Sequence, residues 1–124
     1  MFVSSKPEGI LDRAGGRELV IDLIVFHEFV DVLTELTEIA EEKERKAGYR
    51  RKIEEFPSLL EDEDVGIEPL ALDHQDLKRS VHLMHEKEVD IGDALIYVHM
   101  SKLGIRHIVT DDRDWDRLEG IVRI

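Results

Sequence analysis

The chain has 124 residues, enough for one domain with a sizeable core and too few for two independent ones. Its 17 Lys and Arg stand against 29 Asp and Glu, a formal net charge of −12, which excludes a protein that coats DNA through many cation–phosphate contacts. A nucleic-acid enzyme remains open, because clustered carboxylates hold the divalent cations that such enzymes use. No Cys is present, so disulfides, thiolate zinc sites, iron–sulfur clusters and Cys nucleophiles are all excluded. The longest apolar run, Leu23 to Phe26, is far too short to span a membrane. The start, MFVSSKPEG, lacks the apolar region of a signal peptide. The expectation is an acidic, cytoplasmic single domain over residues 1–124.

In chain order, MFVSS is the first candidate strand, and Lys6 to Arg13 fits a short helix closed by Gly15 and Gly16. Glu18 to Asp22 reads as a strand. From Phe26 the period becomes helical: Phe26, Phe29, Val30, Leu33, Leu36, Ile39 and Ala40 form one apolar stripe. The spacing predicts one long helix ending near Gly48, then a second from Arg50 to Leu60. Glu61 to Asp64 is an acidic turn, and Val65 to Leu70 a strand. Asp73 is placed to cap a helix that carries Leu77, Val81 and Met84 inward. A further helix covers Ile91 to Leu103, with Ala94, Leu95 and Val98 on its core face and Gly104 as its stop. Arg106 to Thr110 is a strand, Asp114 to Leu118 a helical turn, and Ile121 to Ile124 a last strand. Strands alternating with helices predict an α/β fold, a three-layer α/β/α sandwich with a parallel sheet. In such sheets ligands bind beyond the carboxyl ends of the strands, where Glu28 and the Asp111–Asp112 pair fall.

The segment from Gly92 to Ile124 carries a recognisable order of signals: Asp93-Ala94 at a helix start, a strand, then Thr110, Asp112, Asp114 and Trp115. It resembles the C-terminal half of PIN domains, the nuclease family that includes VapC-type toxins, with Trp115 in place of the usual Phe. Upstream, VFHEFVDVL is similar to the family's second motif and maps its Glu to Glu28. The resemblance implies a metal-dependent endoribonuclease that hydrolyses RNA phosphodiester bonds with Mg²⁺ or Mn²⁺. It implies Asp93 and Asp112 as metal ligands, Glu28 as a third member that orients water or a second ion, and Asp114 as an outer or capping member. Thr110 is expected to hydrogen-bond a neighbouring carboxylate. RNA as substrate and an antitoxin protein as partner follow from the same resemblance, and a homodimer is expected because a missing central strand would leave unpaired backbone groups inside the sheet. The chemistry is coherent, since carboxylates converging from separate elements repel one another unless a cation stands between them.

The opening departs from the family pattern. PIN domains begin with a central strand running into Asp-Thr-Asn/Ser, whereas MFVSS has Ser4 or Ser5 at the position of that Asp. The N-terminal strand is therefore missing or replaced: the true start lies upstream of Met1, or MFVSS or a strand of another subunit fills the gap. An incomplete acid cluster gives the rival function, a non-catalytic PIN-like module for dimerisation or protein binding. Taken singly, Asp93, Asp112 and Asp114 also suit caps and turns, and Asp90 a solvated helix-start acid. Glu28 with Asp31, Glu35, Glu38 and Glu42 also suits the wet face of a long helix. Only the joint occurrence favours a site. His82 and His85 with Glu86 lack the H-E-x-x-H order of zinc proteases, and Arg117 and Arg123 occupy positions where a calcium loop needs Gly and Glu. The cations Lys43, Arg45, Lys46, Arg50, Arg51 and Lys52 read as a helix C-terminus offsetting its dipole, with an RNA-backbone contact as the sharper alternative.

Overall fold

Two apolar residues at the very start of the chain, Phe2 and Val3, occupy the middle of the sheet. A computed structural model describes residues 1–3, 13, 15, 17–59 and 65–124. Among them the order is β1 (Phe2–Val3), β2 (Leu19–Ile21), α1 (Leu23–Ile39), α2 (Lys43–Leu59), β3 (Val65–Ile67), α3 (His74–Lys87), α4 (Ile91–Leu103), β4 (His107–Val109), a 3-10 turn (Arg113–Arg117) and β5 (Val122–Arg123). The strands form one sheet in the order β3-β2-β1-β4-β5, and every pairing is parallel. Phe2 stands opposite both Val20 and Ile108, and Val3 opposite Val109. Phe2, Ile108 and Val109 are fully buried, as expected of central parallel strands covered on both faces. Of the segment MFVSS, Phe2 and Val3 fill the central strand position. The sheet centre is paired within the chain and needs no strand from another subunit. The helix expected over Lys6 to Arg13 and the turn at Glu61 to Asp64 lie outside the described residues, apart from Arg13.

Three expectations shift. The long helix breaks at Ala40 to Glu42, not at Gly48, which lies inside α2. No Gly or Pro marks that break. It comes from packing: Phe56 of α2 lies 4.3 Å from Phe29 and 5.6 Å from Phe26, ring centre to ring centre, so the chain must fold back on itself. Lys43, Arg45 and Lys46 therefore start a helix, where the dipole opposes them. None of the six cations makes an ion pair among the described residues.

Helix α3 is capped by Asp73 as expected, through a reciprocal capping box with Asp76. Its inward face differs, however. Leu77 and Val81 are about half exposed, while Ser80 is buried with its hydroxyl donating to the Asp76 carbonyl at 2.8 Å. Leu83 and Met84 of the same helix pack against the core. Lys102 of α4 ties the two helices from outside, donating to Asp76 at 2.6 Å and to the Ala71 carbonyl at 2.9 Å. Helix α4 is buried on most sides, through Ala94, Ile96, Val98, His99 and Met100; Leu95 is only half-buried. Gly104, at φ +71°, ends α4 in the left-handed conformation that suits Gly. No helix among the described residues is long and apolar enough to cross a membrane.

Candidate active site

Asp22 follows β2 directly and caps α1, accepting from the Val25 N–H at 2.9 Å. Six residues on, Glu28 projects from the second turn of α1 toward the start of α4. A Cβ added at Gly92 would fall on the Glu28 carboxylate, with its Cδ 2.6 Å and its Cγ 3.4 Å away. Only glycine leaves that space. Burial, then the charges of Asp90, Asp22 and Asp112, opposed by His27, hold the Glu28 carboxyl above its ordinary range.

Asp93 sits in the first turn of α4, but the cap position belongs to Asp90, whose side chain makes no capping hydrogen bond. The Asp93 carboxylate is therefore not used in capping. It is only 7% exposed, and its pKa is pushed up to about 7, first by burial and then by the charges of Glu28, Asp112, Asp90 and Asp114.

Beyond β4, Thr110 is fully buried. Its hydroxyl accepts from the Asp112 backbone N–H at 3.1 Å, so the expected bond to a carboxylate becomes a bond to the main chain, which fixes the turn instead. Of the two consecutive acids, Asp111 faces Arg13 at 2.6 Å, and Arg13 also donates to the carbonyls of Thr110 and Ile124. Asp112 takes the other direction. One of its oxygens accepts from the Asp114 N–H at 2.9 Å, capping the 3-10 turn, and its charge acts on Glu28 and Asp93. The cap role and the site role thus coexist in one side chain. Asp114 lies 3.4 Å from Arg117, which partly offsets its charge.

The four carboxylates named from the sequence, Glu28, Asp93, Asp112 and Asp114, thus share one electrostatic neighbourhood at the carboxyl end of the sheet. Among the described residues no three His, Asp or Glu side chains stand close enough to enclose an ion. Mg²⁺ retains several waters and takes only one or two carboxylates directly. Burial and the charges of Glu28, Asp112, Asp90 and Asp114 converge on Asp93, and hard oxygen donors of this kind are the chemistry a partly hydrated dication takes.

The sequence reading missed two members of this region. His99 is 2% and Asp22 1% exposed, and His99 Nδ1 lies 2.6 Å from Asp22 Oδ2. A carboxylate can only accept, so Nδ1–H donates. The Phe2 ring meets His99 edge-on, 5.7 Å between centres. An Asp between a strand and an apolar helical stripe is an N-cap signal, although Asp22 also closes the strand-like run from Glu18. His99, on a predominantly apolar helix, gave no comparable signal.

A family profile described as PIN domain matches residues 4–121. The chain belongs to the PIN domain family. Among solved structures, PAE2754 from Pyrobaculum aerophilum is similar at 16% identity, with a TM-score of 0.67 over 98% of this chain and 87% of that one. VapBC2 from Rickettsia felis, solved bound to a DNA fragment from its promoter, is similar at 14% identity, with a TM-score of 0.58 over 100% and 98% of the two chains. At these identities the likeness carries the fold. No curated protein matches. As a PIN domain the chain has the expected order of acids after Glu28, while Ser4 and Ser5 stand where the family's first Asp is expected.

Proposed function

We propose that this PIN domain is a divalent-metal-dependent endoribonuclease of the VapC toxin type, acting in the cytoplasm. What supports the reading most is the convergence of negative charge on the buried Asp93, raised by Glu28 from a separate helix and by Asp112, which also acts on Glu28. Such repulsion costs stability unless a positive charge offsets it.

In this reading Asp93 and Asp112 hold Mg²⁺ or Mn²⁺, which when bound would lower the pKa of a water and offset charge on the phosphate. Glu28 orients the attacking water by accepting a hydrogen bond from it. The Asp112 turn is held by Thr110 on one side and by Arg13 through Asp111 on the other. Asp114 supports the turn and adds negative potential at the rim. RNA is the substrate. An antitoxin protein is the partner, by likeness to the VapBC2 assembly, and a homodimer is the expected assembly. The test is RNA cleavage with and without Mn²⁺ in the parent, Asp93→Asn and Asp112→Asn. Loss of metal-dependent cleavage in both variants supports the assignment, and unchanged cleavage removes it.

One observation favours a second reading. With Ser4 and Ser5 in place of the family's first Asp, the acid set is one short, as in a non-catalytic module for dimerisation or protein binding. That reading expects no rise in melting temperature with Mn²⁺, because only a ligand that binds the folded form stabilises it.

A further inference from the structure

Helices α1 and α4 run antiparallel and touch at two levels. At one level Asp22, the cap of α1, meets His99 in the middle of α4. At the other, Glu28 in α1 lies against Gly92, next to Asp93 at the start of α4. The spacing is the same on both helices: six residues from Asp22 to Glu28 and six from Asp93 to His99, a rise of roughly 9 Å along each axis. The two contacts are rungs of one ladder. The lower rung is a fully buried hydrogen bond and the upper one the acid site.

We propose that Asp22 and His99 are positioning residues, whose buried bond fixes the register of α1 against α4 and thereby the separation of Glu28 and Asp93. This rests on the reading of those two acids as one site. The lower rung has few ways to slip. Asp22 is held on both oxygens, one by the Val25 N–H and the other by His99, and Phe2 of the central strand closes on the ring. A shift of α1 by one residue would leave a buried carboxylate without its partner, a costly state. At the upper rung Gly92 leaves no side chain to enforce a spacing, so the register must be set elsewhere. Groups that orient metal-binding side chains in this indirect way alter affinity by roughly 10–100-fold when changed.

The test is a double-mutant cycle between Glu28→Gln and Asp93→Asn in metal-free protein at pH 8.5, with urea unfolding followed by circular dichroism. In the parent background the two substitutions are expected to be non-additive by roughly tenfold in the unfolding constant. In His99→Leu the non-additivity should fall to about twofold or less. In His99→Asn, whose amide can still donate near the position of Nδ1, it should return. Should His99→Leu fail to fold, Asp22→Asn replaces it, keeping a good N-cap while turning one acceptor into a donor. A purely structural His99 would lower stability in every background and leave the coupling untouched. Equal coupling in the parent and in the His99→Leu or Asp22→Asn background, or none in the parent, overturns the proposal. A Mn²⁺ titration of the parent runs alongside. Failure to bind Mn²⁺ with the coupling pattern intact would defeat the nuclease reading and leave the positioning role standing.

Discussion

Replacing Asp93 by Asn should make the metal-free protein more stable at high pH, although it removes a buried residue's native side chain. The folded chain raises the Asp93 pKa from 3.8 to about 7, so the fold binds this proton more tightly than the unfolded chain does. Stability therefore falls as pH rises from about 4 to about 7 and levels off above, where both states are ionised. A shift of about 3 units at 1.36 kcal/mol each amounts to about 4 kcal/mol at pH 8.5. At pH 4.5 the unfolded Asp is already mostly ionised, and about 1 kcal/mol of that difference remains. Asp93→Asn should thus exceed the parent by up to about 4 kcal/mol at pH 8.5 and by about 1 kcal/mol at pH 4.5. The assay is urea unfolding in EDTA, followed by fluorescence of Trp115. It is the single Trp and is 1% exposed, so its emission changes sharply on unfolding. With saturating Mn²⁺ the order should reverse, because the parent binds the ion and the variant does not. An Asn variant that is less stable at pH 8.5, or whose advantage is the same at both pH values, refutes the electrostatic reasoning.

Gly92→Ala should leave the fold as stable or up to about 1 kcal/mol more so, since Ala is the better helix former. It should also displace the Glu28 carboxylate and lower RNA cleavage by at least about tenfold, so unchanged cleavage with Ala would show that the Glu28–Gly92 contact has no part in the site. Asp112→Asn should weaken Mn²⁺ binding by about tenfold or more, while Asp111→Asn, which meets Arg13, should change it by less than about twofold; calorimetric titration separates the two, and the reverse ranking would move the site to Asp111. The Trp115 indole N–H is buried with no hydrogen-bond partner among the described residues. Trp115→Phe therefore removes an unmet donor while losing apolar contact, and the net change should stay within about 1 kcal/mol; a loss above about 3 kcal/mol, read by circular dichroism, would mean that the N–H has a partner after all.

The parts of this molecule most legible in the sequence are those fixed by local chemistry. Asp73 marks the start of α3, Gly104 the end of α4, and the Val/Ile runs mark β2 and β4. Of the candidate site, the place of Asp112 was legible because a strand followed by Thr110-x-Asp112 puts a carboxylate at the sheet's carboxyl end, whereas Asp93 and the roles of all four acids came from the family resemblance. What was hidden depends on contacts distant in the chain. The turn at Ala40 to Glu42 contains no breaker and is imposed by Phe56 packing on Phe26 and Phe29. On α3 the polar Ser80 is buried while Leu77 and Val81 stay half-exposed, an arrangement that hydrophobic periodicity cannot foresee. The Asp22–His99 bond joins residues 77 positions apart, and no local pattern links them. A strand of two residues is likewise too short to announce its place: MFVSS reads as a candidate strand, but only pairing with Val20 and Ile108 sets Phe2 at the sheet's centre.

The most direct measurement is a crystal structure of the protein soaked in Mn²⁺, with data collected to locate manganese by its anomalous scattering. A peak is expected between the carboxylates of Asp93 and Asp112, with the Glu28 carboxylate turned toward a water on the ion. A peak elsewhere, or none at millimolar Mn²⁺ with these side chains ordered, would contradict the proposed metal site.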